Sequence, residues 1–189
     1  MNENVIKVQS RTKSIVYVGL SIAIIAVCSW VTIPIGPIPF TLQMFGIPLI
    51  IALLSPLESI AAVYLFVIIG ALGVPVFSGF KGGIGVLLGP TGGFLIGYLF
   101  GVVLAALFLY LATKRSNNVI ANIAFAVIAG IIFTACAYIT GCIQYSIVAG
   151  ISVEQAFLVS GAPFIIPDLA KIVIAAVCAQ PIKRAIGQT

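Results

Sequence analysis

The run TGGFLIGYLFGVVLAALFLYLAT, residues 91–113, carries no charged residue before Lys114. A helix needs about 20 mostly apolar residues to cross the hydrocarbon core of a bilayer, and this run is that long. In and just before it, Gly89, Gly93, Gly97 and Gly101 recur every fourth residue. That spacing lays a bare ridge along one helix face, where a neighbouring helix can approach closely. The stretch therefore reads as a transmembrane helix with a tightly packed partner.

Comparable apolar runs lie at 15–33, 40–54, 56–72, 119–139 and 163–182, the one at 40–54 being short for a span. The predicted fold is an all-α polytopic membrane protein with six transmembrane helices, forming one membrane domain over 1–189. Composition agrees: 62% of residues are hydrophobic and 7% charged, with a mean hydropathy of +1.29. A soluble domain carries about 25% charged residues to clothe its surface, so most of this surface is expected to face lipid.

Local signals set the boundaries. Pro34, Pro37 and Pro39 forbid regular helix after the first span. Ser55-Pro56-Leu57-Glu58 has a capping-box residue at each end and proline at the first helical position, and Ser152 and Gln155 repeat the box in a short connecting helix. The stretch 73–90 is rich in glycine yet too apolar for a plain solvent loop. Irregular backbone at membrane depth must be buried in protein or line a cavity, which makes it a candidate lid or pocket wall. The connection 141–162 is expected outside the last two spans. The basic N-terminus and first apolar run have the outline of a signal peptide, but 15–33 is spanning length and no small-x-small site precedes Pro34, so a retained helix is expected.

The net charge of +5 comes from nine basic residues, seven of them in three clusters: Lys7, Arg11 and Lys13; Lys114 and Arg115; Lys183 and Arg184. Six spans place all three clusters on one side with both termini, the cytoplasmic side by the positive-inside rule. Lys81 and Glu154 fall on the other. Basic residues confined to the ends of apolar runs do not make a nucleic-acid surface.

The chain has no histidine, and its four cysteines, Cys28, Cys136, Cys142 and Cys178, form no C-x-x-C pair and read as small apolar packing residues. There is no G-x-x-x-x-G-K-[ST] motif. Neither metal, cofactor nor catalytic chemistry is indicated, and any ATP-driven step must use other proteins. Glu58 is accounted for by capping.

Candidate ligand contacts are few. Asp168 and Lys171 share a helix face at i, i+3 within the last span, and ionisable groups in a span usually face a cavity or a partner. Thr41 and Gln43 open the second span at the same outer depth. Lys81 can attract an anion from the outer side, and Tyr98 and Tyr138 can stack or hydrogen-bond.

These residues sit in motifs that resemble a known family. The run PIGPIPFTLQ, residues 34–43, resembles the P-x-G-P-x-P-x-T-x-Q signature of the BioY family, the biotin-specific substrate-binding (S) components of energy-coupling factor (ECF) transporters. GGIGVLLGPTGGFLIGY, residues 82–98, is similar to that family's glycine-rich stretch, with Phe94 where tyrosine is usual. Asp168 and Lys171 match its P-x-D-x-x-K element. The resemblance covers about 15–182 and brings Gly83 into the candidate ligand set. It implies a multi-pass protein of a prokaryotic cell membrane that captures biotin from outside. It also implies a transmembrane coupling subunit and two cytoplasmic ATPase subunits as partners. A small-x-x-x-small element on the first helix docks the coupling subunit in such families, and Gly19 and Ala23 stand there, where alanines are more usual. The ureido group of biotin offers N–H donors that Asp168 can accept, while either Lys171 or Lys81 can meet its carbonyl or carboxylate. Two other readings stay open: an S component for another small vitamin, and a membrane enzyme or scaffold.

Overall fold

The computed structural model describes residues 3–114 and 118–185, with side chains from Arg11 onward. Arg115 and the Lys7 side chain, counted above in the basic clusters, lie outside the described residues. The chain is mostly helical. Four helical stretches are long and apolar enough to cross a membrane: 11–30, 92–113, 119–149 and 153–185; the apolar helices 43–53 and 56–71 are shorter.

The first helix, α1 (Glu3–Trp30), stops short of the expected Ile33. Pro34 disfavours α-helical backbone at the residue before it, and Thr32–Ile33 (β1) instead pairs antiparallel with Phe40–Thr41 (β2) across the proline turn. Gly36, at φ +72°, supplies the left-handed residue of that turn. Then comes α2 (Gln43–Leu53), buried along almost its whole length. A helix that is apolar all round belongs in a core, and α2 packs against α1, α3, α5, α6 and α8. Next are α3 (Pro56–Ala71) and a short α4 (Ile84–Leu88) inside the glycine-rich segment. The long pair α5 (Gly92–Thr113) and α6 (Val119–Ala149) follows, then α7 (Val153–Ser160), and a 3₁₀ turn at Ala162–Phe164 leads into α8 (Ile165–Ala185).

Helix α6 runs ten residues beyond the expected end at Ile139. Gly141 does not break it, because its bare Cα makes room for a ring: a Cβ there would sit 2.6 Å from carbons of Phe94. The stop is Gly150, left-handed at φ 65°, where the N–H groups of Gly150 and Ile151 both donate to the Ser146 carbonyl. The expected connection 141–162 is therefore helix for much of its length. Both capping boxes form. Ser55 N–H donates to Glu58 Oε2 at 3.1 Å, and Ser152 Oγ accepts from Gln155 N–H at 3.2 Å. Glu58 also receives a hydrogen bond from Ser14 Oγ, tying α3 to α1.

The glycine ridge is the seam between α5 and α6. A Cβ on Gly93 would lie 2.7 Å from Gln144 Cβ, one on Gly97 2.6 Å from Ala137 Cα, and one on Gly101 2.8 Å from the Phe133 carbonyl oxygen. Gly89 stands outside the helix, closing α4. The outward faces of the long helices carry exposed Leu104, Leu107, Leu111, Ile131, Ile139 and Val173, an apolar surface of the extent that marks a membrane or partner contact. Gly19 and Ala23 lie on the exposed side of α1, and a Cβ on Gly19 would meet nothing within 4 Å.

The seam gives a direct test. Overpacking a close-packed contact costs about 1–3 kcal/mol or more, so Gly97→Val is expected to lower the melting temperature in detergent and broaden the size-exclusion peak. Gly19→Ala should do neither. Equal melting temperatures for Gly97→Val and the parent would mean that α5 and α6 do not approach this closely.

Candidate ligand-binding pocket

On α8, Asp168 and Lys171 are both buried, 5% and 8% exposed. Lys171 Nζ donates to Asp168 Oδ1 at 2.8 Å and to the backbone carbonyl of Thr41 at 2.6 Å. It also lies 3.4 Å from the centroid of the Phe40 ring, a cation–π contact. From α6, Tyr138 donates its hydroxyl to Asp168 Oδ2 at 2.6 Å. Each carboxylate oxygen thus has one partner and can accept more.

Across from this network, Gln43 opens α2. Its Oε1 accepts from Tyr98 Oη at 3.4 Å and Thr41 Oγ1 at 3.3 Å. Its Nε2 is buried without a hydrogen-bond partner among the described residues. A buried donor left unsatisfied costs about 1–3 kcal/mol, so this amide is poised for an acceptor.

Both groups face one cavity of about 350 Å³, lined as well by Tyr98, Tyr138 and Lys81. That is the lower end of the roughly 300–1,000 Å³ typical of small-molecule sites. Its apolar wall includes Ile38, Phe94, Leu95 and Phe164. The proline turn and the loop between α3 and α4 close over it, the latter contributing Phe77, Ser78 and Gly79 as well as the exposed Lys81. The arrangement can hold a small, mostly apolar molecule that presents donors to Asp168 and an acceptor to Gln43.

Comparison with known proteins shows the family. The family model described as "BioY family" matches residues 1–188. The chain belongs to the BioY family. It is 36% identical to the biotin transporter BioY of Thermotoga maritima over 91% of this chain and 96% of that one. It is 32% identical to the probable biotin transporter BioY of Pyrococcus horikoshii over 90% and 96%. The crystal structure of the S-component for biotin from an ECF-type ABC transporter superposes with a TM-score of 0.81 at 28% identity, covering 97% of this chain and 95% of that one.

In this BioY-family chain, Thr41, Gln43, Lys81, Tyr98, Tyr138 and Asp168 all reach the cavity wall. Lys171 stands behind Asp168, its ammonium bound to the protein itself. Gly83 does not line the cavity. It is a turn residue at φ 94° that starts α4, and its N–H donates to the Gly70 carbonyl at 2.7 Å. Phe40 and Gln144 were not expected among the site residues. Phe40 carried no polar signal, and Gln144 fell in a stretch read as connection. In α6, Gln144 Nε2 donates to the carbonyls of Leu87 and Gly89 at 2.7 and 2.9 Å. It clamps the turn that presents Val86, Pro90 and Thr91 to the cavity.

Gln144→Leu removes both hydrogen bonds and leaves the two carbonyls without them, a loss of about 1–3 kcal/mol. Hydrogen exchange at residues 84–92 is expected to quicken while α8 keeps its protection. Unchanged exchange at 84–92 would show that the turn does not depend on Gln144.

Proposed function

We propose that this chain is the biotin-binding S subunit of an ECF-type transporter, and that the cavity above is where biotin sits. The observation that carries this reading is the pairing of Asp168 with the unpartnered Nε2 of Gln43 on one cavity. A cyclic urea offers two N–H donors and one carbonyl, which match a carboxylate acceptor and an amide donor. The apolar wall suits the thiophane ring and chain. The named relatives are transporters rather than enzymes, and the chain's part is capture of the vitamin, with no cofactor of its own.

Six membrane crossings with both termini cytoplasmic fit the helices best. The four long stretches are joined by α2 and α3, and α2 can be short because protein surrounds it. Arg11 and Lys13, Lys114, and Lys183 and Arg184 then share the cytoplasmic side of a prokaryotic cell membrane. Lys81 and the cavity mouth open outward. ATP hydrolysis belongs to two cytoplasmic ATPase subunits working through a transmembrane coupling subunit. The bare, exposed pair Gly19 and Ala23 is the seat for that subunit, since neither residue is covered by this chain's own helices.

Two outcomes test the two halves. Asp168→Asn should weaken biotin binding by about 1.5 kcal/mol or more, the scale of a hydrogen bond to a charged group, measured by equilibrium binding to folded, monodisperse protein. Unchanged affinity would remove Asp168 from the site. Gly19→Trp combined with Ala23→Trp should leave biotin affinity nearly intact, yet prevent co-purification with the coupling subunit and abolish ATP-dependent uptake in reconstituted liposomes. A retained complex would place docking elsewhere.

A further inference from the structure

Two lysines are near the cavity, and their surroundings differ. The ammonium group of Lys171 has three N–H donors. One goes to Asp168 Oδ1, one to the Thr41 carbonyl, and the group also faces the Phe40 ring. Two of its three donors are taken by the protein, an aromatic ring covers the group, and it does not form part of the cavity wall. A ligand carboxylate pushed to this end would also meet the Asp168 carboxylate, a like charge at close range in a poorly solvated place.

Lys81 is exposed, lines the same cavity, and has no carboxylate within ion-pair distance among the described residues. Its backbone is held on both sides. The N–H of Phe77, which is 1% exposed, donates to the Lys81 carbonyl at 2.9 Å. Phe80, held at φ 57°, stacks on Trp30 with ring centroids 5.0 Å apart. The Lys81 backbone is therefore anchored at the cavity mouth, from which its side chain can carry the cation over the opening, where water remains to ease an anion's transfer. The cavity is thus graded: an acceptor and a neutral donor at the buried end, an apolar wall between, and a cation at the open end.

We infer that Lys81 is the residue that recognises the ligand's carboxylate, so that biotin lies with its ureido ring inward and its carboxylate at the mouth. The inference rests on the biotin reading above and adds a specificity: the free acid is selected by charge over amides and esters of the same molecule. Biotin attached through its carboxyl group to an amine loses that interaction even where the remaining atoms fit.

The test compares biotin with biotinamide, its neutral near-isostere, by equilibrium binding to the full-length protein. The parent is expected to prefer biotin on the order of tenfold, as for a charge-assisted contact, with the preference shrinking at high salt. Lys81→Met should bring the ratio to about one, chiefly by weakening biotin, and Lys81→Arg should restore the preference. A ratio unchanged in Lys81→Met, or equal binding of both compounds to the parent, overturns the inference while leaving biotin binding itself intact. If Lys81→Met binds neither compound, the salt dependence of the parent's preference and the Lys81→Arg variant decide. A salt-independent preference or a failure of arginine to restore it counts against Lys81. Parent protein that binds neither compound would instead sink the biotin reading.

Discussion

A lysine ammonium held inside an apolar helix bundle must be neutralised and hydrogen-bonded where it stands, because an unpaired buried charge costs several kcal/mol. Lys171 meets that demand with groups from two distant parts of the chain: Asp168 one turn away on α8, and the Thr41 carbonyl and Phe40 ring from β2. The Thr41 carbonyl is free for this because the β1–β2 pair and the proline turn break the helical path between α1 and α2. Asp168 in turn draws in Tyr138 of α6. One ion pair thus fixes three elements around α2, and the cavity is the space left on the side where Asp168 still has acceptor capacity.

The seam between α5 and α6 sets the other wall. Gly97 and Ala137 meet across it, and the next residue on each helix, Tyr98 and Tyr138, reaches the cavity. Phe94, one turn earlier, sits edge-on to Tyr138 with centroids 6.2 Å apart and needs the bare Cα of Gly141 to do so. The phenylalanine that stands where the family usually has tyrosine is therefore buried as a wall residue, 7% exposed. Side chains at the seam are small so that the tyrosines beside it can be large and closely placed.

Apolar run length was enough to read the helical membrane character, and glycine spacing was enough to read the seam, since both signals are local. That Asp168, Tyr138, Gln43 and Thr41 gather on one cavity was also legible, because polar groups in apolar spans stand out against their neighbours. The bonds among them were not. The contact from Lys171 to Thr41 joins positions 130 residues apart, and nothing in either segment encodes the other's place. The end of α6 was misjudged because Gly141 and Gly150 look alike in sequence, although one admits a ring and the other adopts left-handed backbone. Gly83 was read as a ligand contact from its motif; it is not in the cavity wall, and its φ of 94° and its bond to Gly70 give it a place in a turn.

Helix α1 connects the two activities proposed for the chain. Its exposed small residues Gly19 and Ala23 lie eleven and seven residues from Trp30 at its far end, roughly 16 and 10 Å at 1.5 Å each. There the Trp30 indole donates to the Pro75 carbonyl at 2.9 Å and stacks on Phe80, the neighbour of Lys81. Near the other end Ser14 is bonded to Glu58 of α3. A partner seated on Gly19 and Ala23 therefore bears on the same rigid element that holds the loop at the cavity mouth. A tilt of α1 against α3 would move Trp30 relative to Phe80, and would also pull on β2, which is paired with β1 just past the end of α1 and carries the Thr41 carbonyl that holds Lys171. Both ends of the pocket thus lean on the end of α1: the mouth through Trp30 and Phe80, the buried network through β1 and β2.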